Sequence, residues 1–128
     1  MSFQDDEEIV NSFIAETMDQ LAEIESGILK LENESGLPDG ELVHSMFRAA
    51  HSIKAGANLL DFWNIEALSH TMENDLQDFR NQKRAIDDNT ITNFLRVIDA
   101  IRDLAEDPLV RDPACSSTFV NQLRENHK

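Results

Sequence analysis

The apolar residues of this chain recur three or four positions apart, the spacing of one helical face, and no segment alternates as a half-buried strand would. Five helices are predicted from that spacing. The first runs from about Asp5 to Asn33, with Ile9, Phe13, Leu21, Ile24, Ile28 and Leu31 on its stripe. Asp5, Asp6, Glu7 and Glu8 crowd its first turn, where the helix dipole favours negative charge. The stretch Ser35 to Gly40 ends it in a turn. The second helix runs from about Glu41 to Leu60, capped near Asp39 or Gly40, with Leu42, Met46, Ala50, Ile53, Ala57 and Leu60 facing inward.

Phe62 and Trp63 are expected in a short loop, and Asn64 as the N-cap of the third helix, with Trp63 and Leu68 closing a hydrophobic staple. That helix should reach about Lys83 and bury Ile65, Leu68, Met72, Leu76 and Phe79. The fourth follows the capping cluster Asp87-Asp88-Asn89 and turns Ile91, Phe94, Leu95, Ile98, Ile101 and Leu104 inward, with Pro108 beyond its end. A short fifth helix is expected from Ser116 or Ser117, burying Phe119, Val120 and Leu123, although the same residues also read as a frayed tail. Long amphipathic helices with short connections predict an all-α antiparallel four-helix bundle over residues 1–110, with 111–128 as the fifth helix or the start of a linker. No helix shows two apolar faces, so a monomer is expected.

Composition narrows the function classes. A chain of 128 residues with 41% hydrophobic residues is long and apolar enough to bury a core as one domain. Its net charge of −14, from 11 Lys and Arg against 25 Asp and Glu, opposes binding to nucleic acid or to an anionic membrane. The single cysteine, Cys115, excludes an internal disulfide and a paired metal-thiolate motif, and nothing near it suggests a reactive thiol. Met1 to Glu8 is acidic and unlike a signal peptide, and no apolar stretch is long enough to span a bilayer, which points to the cytoplasm.

The polar side of the second helix carries the candidate chemistry. At about 100° per residue, His51 points away from the Met46–Ile53 stripe and should face solvent, with Lys54 one turn on along a similar side. Ala50, Ala55 and Gly56 add little bulk, which lets a partner approach the imidazole. Ala55 and Gly56 also serve the plainer purpose of packing a neighbouring helix. On the third helix His70 and Glu73 lie three apart and off the Met72–Leu76 stripe. His51 and Glu73 are each eleven positions from Phe62, so a hairpin of the two helices sets them level.

A carboxylate that accepts Nδ1–H fixes the tautomer of an imidazole and supports the positive charge that grows as Nε2 attacks phosphorus. Glu73 is expected to do this for His51, Lys54 to attract the phosphoryl oxygens, and His70 to add a hydrogen bond. Each also has a plainer reading. Exposed histidines are common, helix lysines are usually solvated charges, and Glu73 could pair with a basic neighbour at little energetic value. His44 and His127 are read as surface residues.

The string Phe47-Arg48-Ala49-Ala50-His51-Ser52-Ile53-Lys54-Ala55-Gly56-Ala57 resembles the N-terminal histidine phosphotransfer (HPt) domain of CheA-type chemotaxis kinases. Leu68-Ser69-His70-Thr71-Met72-Glu73-Asn74 resembles that family's second motif, and the segment from Phe13 and Glu16 to Leu31-Glu32 is similar to its first helix. The resemblance covers about residues 9 to 106. It implies the HPt fold, His51 as the phosphoacceptor, Glu73 as its hydrogen-bonded carboxylate, and Lys54 and His70 as supporting residues. It also implies that ATP and Mg²⁺ bind a separate kinase domain and that a response regulator's receiver domain takes the phosphoryl group on an aspartate. The chain is then expected to hold no cofactor or metal, and to be the phosphoacceptor part of a histidine protein kinase or a stand-alone phosphotransfer protein. With 4 Gly and no phosphate-cradling loop it shows no ATP site of its own. Three positions depart from the family's pattern: Ala55 replaces a usual Gly, Asn58 interrupts a Gly-rich stretch, and Asp61 replaces the Gly before Phe62. Two other functions compete. His51, His70 and Glu73 could ligate zinc with an open position, or the domain could be a docking module whose histidine no longer reacts.

Overall fold

An amphipathic stripe leaves water only by facing another stripe. In the computed structural model four helices achieve this: α1 (Glu7–Asn33), α2 (Gly40–Leu59), α3 (Trp63–Arg80) and α4 (Asp88–Glu106). The structure describes residues 7–33, 40–81 and 86–108. Each helix packs chiefly on two others, α1 on α2 and α4, α3 on α2 and α4, and the α2–α3 pair is the most extensive. Neighbours are antiparallel: Gly27 meets Met46, Gln20 meets Ser52 and Gly56 meets Phe13 as α1 and α2 run past each other. This is the antiparallel four-helix bundle that the stripes predicted.

The core is fully buried and drawn from all four helices: Leu21, Ile24 and Ile28, Met46 and Ile53, Ile65, Met72, Leu76 and Phe79, Phe94, Ile98 and Ile101. Each such side chain contributes about 1.5–3 kcal/mol relative to exposure. Two stripes are rotated slightly from expectation. Val10 and Val43 are buried, and Ile9 and Leu42 are only partly so. Both lie near helix starts, where the helix has just begun to be covered. Gly56 is small for a reason: a Cβ there would stand 2.9 Å from Cδ1 of Phe13, so the α1 ring occupies the side-chain space.

The α2–α3 connection differs from the sequence reading. The Phe62 N–H donates to the Ala57 carbonyl at 2.8 Å and the Asp61 N–H to the Asn58 carbonyl at 3.2 Å. With Asp61 at φ 61°, this is a Schellman cap, whose left-handed residue is usually Gly and which Asp tolerates better than most. The chain then enters α3 at once. Trp63 is its first residue, not a loop residue, and Phe62 rather than Asn64 holds the N-cap position with no side-chain cap bond. The staple positions become Asp61 and Glu66, neither of them apolar, so the expected Trp63–Leu68 staple does not form. Phe62 is fully buried and packs on Phe13 with ring centroids 5.5 Å apart, which anchors the turn in place of a polar cap. α3 ends at Arg80, short of the expected end, with Asn81 as C-cap.

No helix among the described residues is long and apolar enough to cross a membrane. The expectations for Asp5 and Asp6, most of the turn before Gly40, Lys83, Cys115, His127, and the fifth helix or linker fall outside the described residues.

α4 starts within its capping cluster rather than after it, with Asp87 as the N-cap and Asp88 its first residue. The Thr90 N–H donates to Oδ1 of Asp87 at 2.8 Å. That backbone hydrogen bond holds the Asp87 carboxyl below its ordinary 3.8, so its contribution is present above that value and lost as pH falls through the lowered one. Asp87→Ala should therefore lower the thermal midpoint at pH 7, and the difference from wild type should vanish in acid below the Asp87 value. Melts across that range check this. A difference that persists unchanged in strong acid would remove the charge of the cap from the explanation.

Candidate functional site

The extensive α2–α3 pairing fixes which side chains meet across it. His51 lies on the outward side of α2, between buried Ala50 and Ile53, and its side chain is 59% exposed. Its Nδ1 stands 3.4 Å from Oε2 of Glu73 on α3, a long contact of the kind an Nδ1–H closes by donating to a carboxylate. Lys54 Nζ lies 2.9 Å from the other oxygen, Oε1. That ammonium is close but off the line of a hydrogen bond, since Oε1 has no hydrogen-bond partner. We therefore read the Lys54–Glu73 contact as an ion pair. With Nδ1 turned to Glu73, Nε2 is the ring nitrogen left for other chemistry.

Glu73 is less exposed than the sequence suggested. It was read as lying off the core stripe, but its side chain is only 9% exposed. The spacing Ser69, Met72, Glu73, Leu76 explains this, because positions three and four apart share a face and the other three are buried. Ser69 satisfies its hydroxyl locally by donating to the Ile65 carbonyl at 2.8 Å. Glu73 has no such local outlet. A carboxylate largely removed from water is costly unless paired, and here the pairs are Lys54 and His51, both on α2.

His70 is exposed and makes no hydrogen bond to His51 among the described residues. It lines a shallow depression of about 560 Å³ with Lys54, Asn58 and Glu66, on the hairpin-turn side of the imidazole. The three-ligand zinc arrangement is therefore not assembled: among the described residues no three His, Cys, Asp or Glu side chains converge to hold a metal. Two contacts were missed in the sequence. The Phe47 ring stacks beside His51, and the Arg80 guanidinium sits over Phe47. The first is an i,i+4 pair on α2 that helical spacing alone supplies. For the second, the symmetry about Phe62 sets Phe47 level with Gln77, three residues short of Arg80, so the sequence carries no direct signal for it.

A helical bundle that presents an imidazole at its surface, beside a largely buried carboxylate, has the parts a carrier of phosphoryl groups needs. The chain matches the Hpt domain family over residues 8–107, nearly the whole described region, and belongs to that family of histidine phosphotransfer modules. It is 35% identical over 119 residues to the chemotaxis protein CheA of Rhizobium meliloti (strain 1021), covering 91% of this chain and 15% of that protein. It is 33% identical over 120 residues to CheA of Salmonella typhimurium (89% of this chain, 17% of that protein). It is 30% identical over 100 residues to CheA of Treponema pallidum (78% and 12%). The chain thus spans under a fifth of the length of these relatives.

Removing one partner of the Lys54–Glu73 pair should cost more than an exposed pair and less than a fully buried one, because Lys54 is 28% exposed. Lys54→Met should lower stability by about 1–2 kcal/mol. Combining it with Glu73→Gln should give less than the summed loss, with a coupling of about 1 kcal/mol. Urea denaturation of the four proteins measures this, and strict additivity would show that the pair contributes nothing.

Proposed function

We propose that His51 is the phosphoacceptor, that it receives its phosphoryl group from the ATP-bound kinase domain of a CheA-type histidine kinase, and that it passes the group to an aspartate of a response regulator. The single observation that carries this reading is the contact of His51 Nδ1 with the buried Glu73 carboxylate, which leaves Nε2 of this largely exposed ring as the nitrogen that Glu73 does not engage. Membership in the Hpt family and similarity to chemotaxis proteins supply the reaction class and the partner class. On this reading ATP and Mg²⁺ belong to the separate donor domain, and a cytoplasmic location, where ATP is at hand, goes with the proposal.

In the first transfer the Nε2 lone pair forms a bond to the γ-phosphorus while the bond from phosphorus to the ADP oxygen breaks, and ADP leaves with that electron pair. The imidazole acquires positive charge, and Glu73, accepting Nδ1–H, stabilises it. In the second transfer a carboxylate oxygen of the regulator attacks phosphorus, the N–P bond breaks, and its electron pair returns to Nε2. The acid and base roles thus need no group beyond Glu73 to hold the Nδ1 proton. Lys54 positions Glu73 in the resting state and lies one turn from His51, where its ammonium can turn towards the phosphoryl oxygens. His70, exposed at the edge of the same surface as Lys54, is the supporting residue that donates a further hydrogen bond to the arriving phosphoryl group.

Incubation with ATP, Mg²⁺ and a CheA-type kinase core should give an acid-labile, base-stable label on this chain. His51→Gln should abolish it, and Glu73→Ala should slow it by at least about ten-fold while circular dichroism shows the helices intact. Normal labelling of His51→Gln would place the phosphoryl group elsewhere and reject the assignment.

A further inference from the structure

One long hydrogen bond does not fix the plane of a ring that is more than half exposed. Rotation of the imidazole about its last side-chain bond would swing Nε2 away from a docked donor and weaken the contact to Glu73. The structure holds a second restraint on that rotation. Phe47, one turn before His51 on α2, lies nearly parallel to the imidazole, at an interplanar angle of 10° and a centroid separation of 6.5 Å. The Phe47 ring is itself fixed. It packs against the core, and the Arg80 guanidinium at the end of α3 sits 5.3 Å from its centroid. Arg80 is in turn held by Gln77, whose Oε1 accepts from its Nη2 at 2.6 Å.

The register gives this arrangement its meaning. Two side-chain bridges between α2 and α3 bracket His51 in sequence, Phe47 to Arg80 and Lys54 to Glu73, seven residues apart on each helix. His51 lies between them on α2. One bridge ends on the edge of the imidazole, through Glu73 at Nδ1. The other ends on its flank, through Phe47. A near-parallel ring offset by this distance flanks the imidazole without lying over it, so it limits rotation of the ring without covering Nε2.

We propose that Phe47, clamped by Arg80, is a positioning residue that holds the plane of the His51 imidazole so that Nε2 stays aligned for in-line attack. The inference rests on His51 being the phosphoacceptor, and two readouts separate its failure from the failure of that reading. The first is the long-range ¹H–¹⁵N spectrum of the imidazoles, with the His51 signals assigned by their loss in His51→Gln. The second is the rate of labelling at His51 by potassium phosphoramidate, in which Nε2 bonds to phosphorus as the P–N bond of the reagent breaks and ammonia leaves.

Wild type should show a single Nδ1–H pattern for His51. Phe47→Leu, which keeps apolar volume but removes the ring, should convert it to an averaged pattern and slow labelling about five-fold, the size expected for loss of one weak orienting contact. Phe47→Tyr, which keeps a ring, should restore both. Arg80→Ala, at an exposed position where folding is not at stake, should move both readouts in the same direction by about two-fold, and Arg80→Lys should recover them, since an ammonium also binds a ring face. If Phe47→Leu and Arg80→Ala leave the His51 pattern and the rate at wild-type values with helices intact, the proposal is overturned. It is equally overturned if the rate falls only in step with lost helicity while the pattern stays unchanged. If wild type takes no label at His51, the phosphoacceptor reading fails, and the spectra alone still decide whether Phe47 orients the ring.

Discussion

A carboxylate with little access to water persists in a folded protein only where positive charge or hydrogen-bond donors face it. Glu73 meets that requirement entirely from the neighbouring helix, with Lys54 on one oxygen and His51 on the other. Its burial therefore ties the chemistry of the surface to the spacing of α2 and α3. If these helices slid by one residue, Glu73 would lose both partners and the imidazole would lose its brace. The rest of the bundle serves to prevent such a slide. The Schellman turn at Asp61 fixes where α3 begins, buried Phe62 anchors that turn on Phe13, and Gly56 lets Phe13 seat against α2.

The helices and their inward faces were legible in the sequence because packing stripes repeat over many residues, so an error at one position is outvoted by the others. That is why Leu21, Met46, Met72 and Phe94 were placed inside while the helix starts drifted by one residue at Val10 and Val43. The level pairing of His51 with Glu73 was also legible, since a short hairpin leaves few registers. The burial of Glu73 was not, because a charged residue is assigned to the surface by default and only its spacing from Ser69 and Leu76 argues otherwise. The start of α3 was misplaced for a related reason. Asn64 is a good cap by residue type, but the preceding turn and an aromatic anchor decided the matter through tertiary contacts that no local preference reports.

The three departures from the family's pattern have separate physical meanings. Asp61 occupies the left-handed position of the α2 cap, where glycine has no steric cost, so the substitution bears on the geometry of the turn. Asn58 lines the depression beside Lys54 and His70, and thereby changes the polarity of the surface next to the imidazole. Ala55 is exposed and borders the same depression as well as the apolar surface around Phe47 and His51, where one added methyl group leaves the approach open. None of the three enters the contacts among His51, Lys54 and Glu73.

The central claim is that Glu73 occupies Nδ1 and so leaves Nε2 to carry phosphorus. The most direct measurement is the identity of the phosphohistidine isomer recovered from the labelled protein after digestion in alkali, where the N–P bond survives. The account predicts the Nε2-linked isomer. Recovery of the Nδ1-linked isomer would mean that Glu73 does not hold that nitrogen during transfer, and would contradict it.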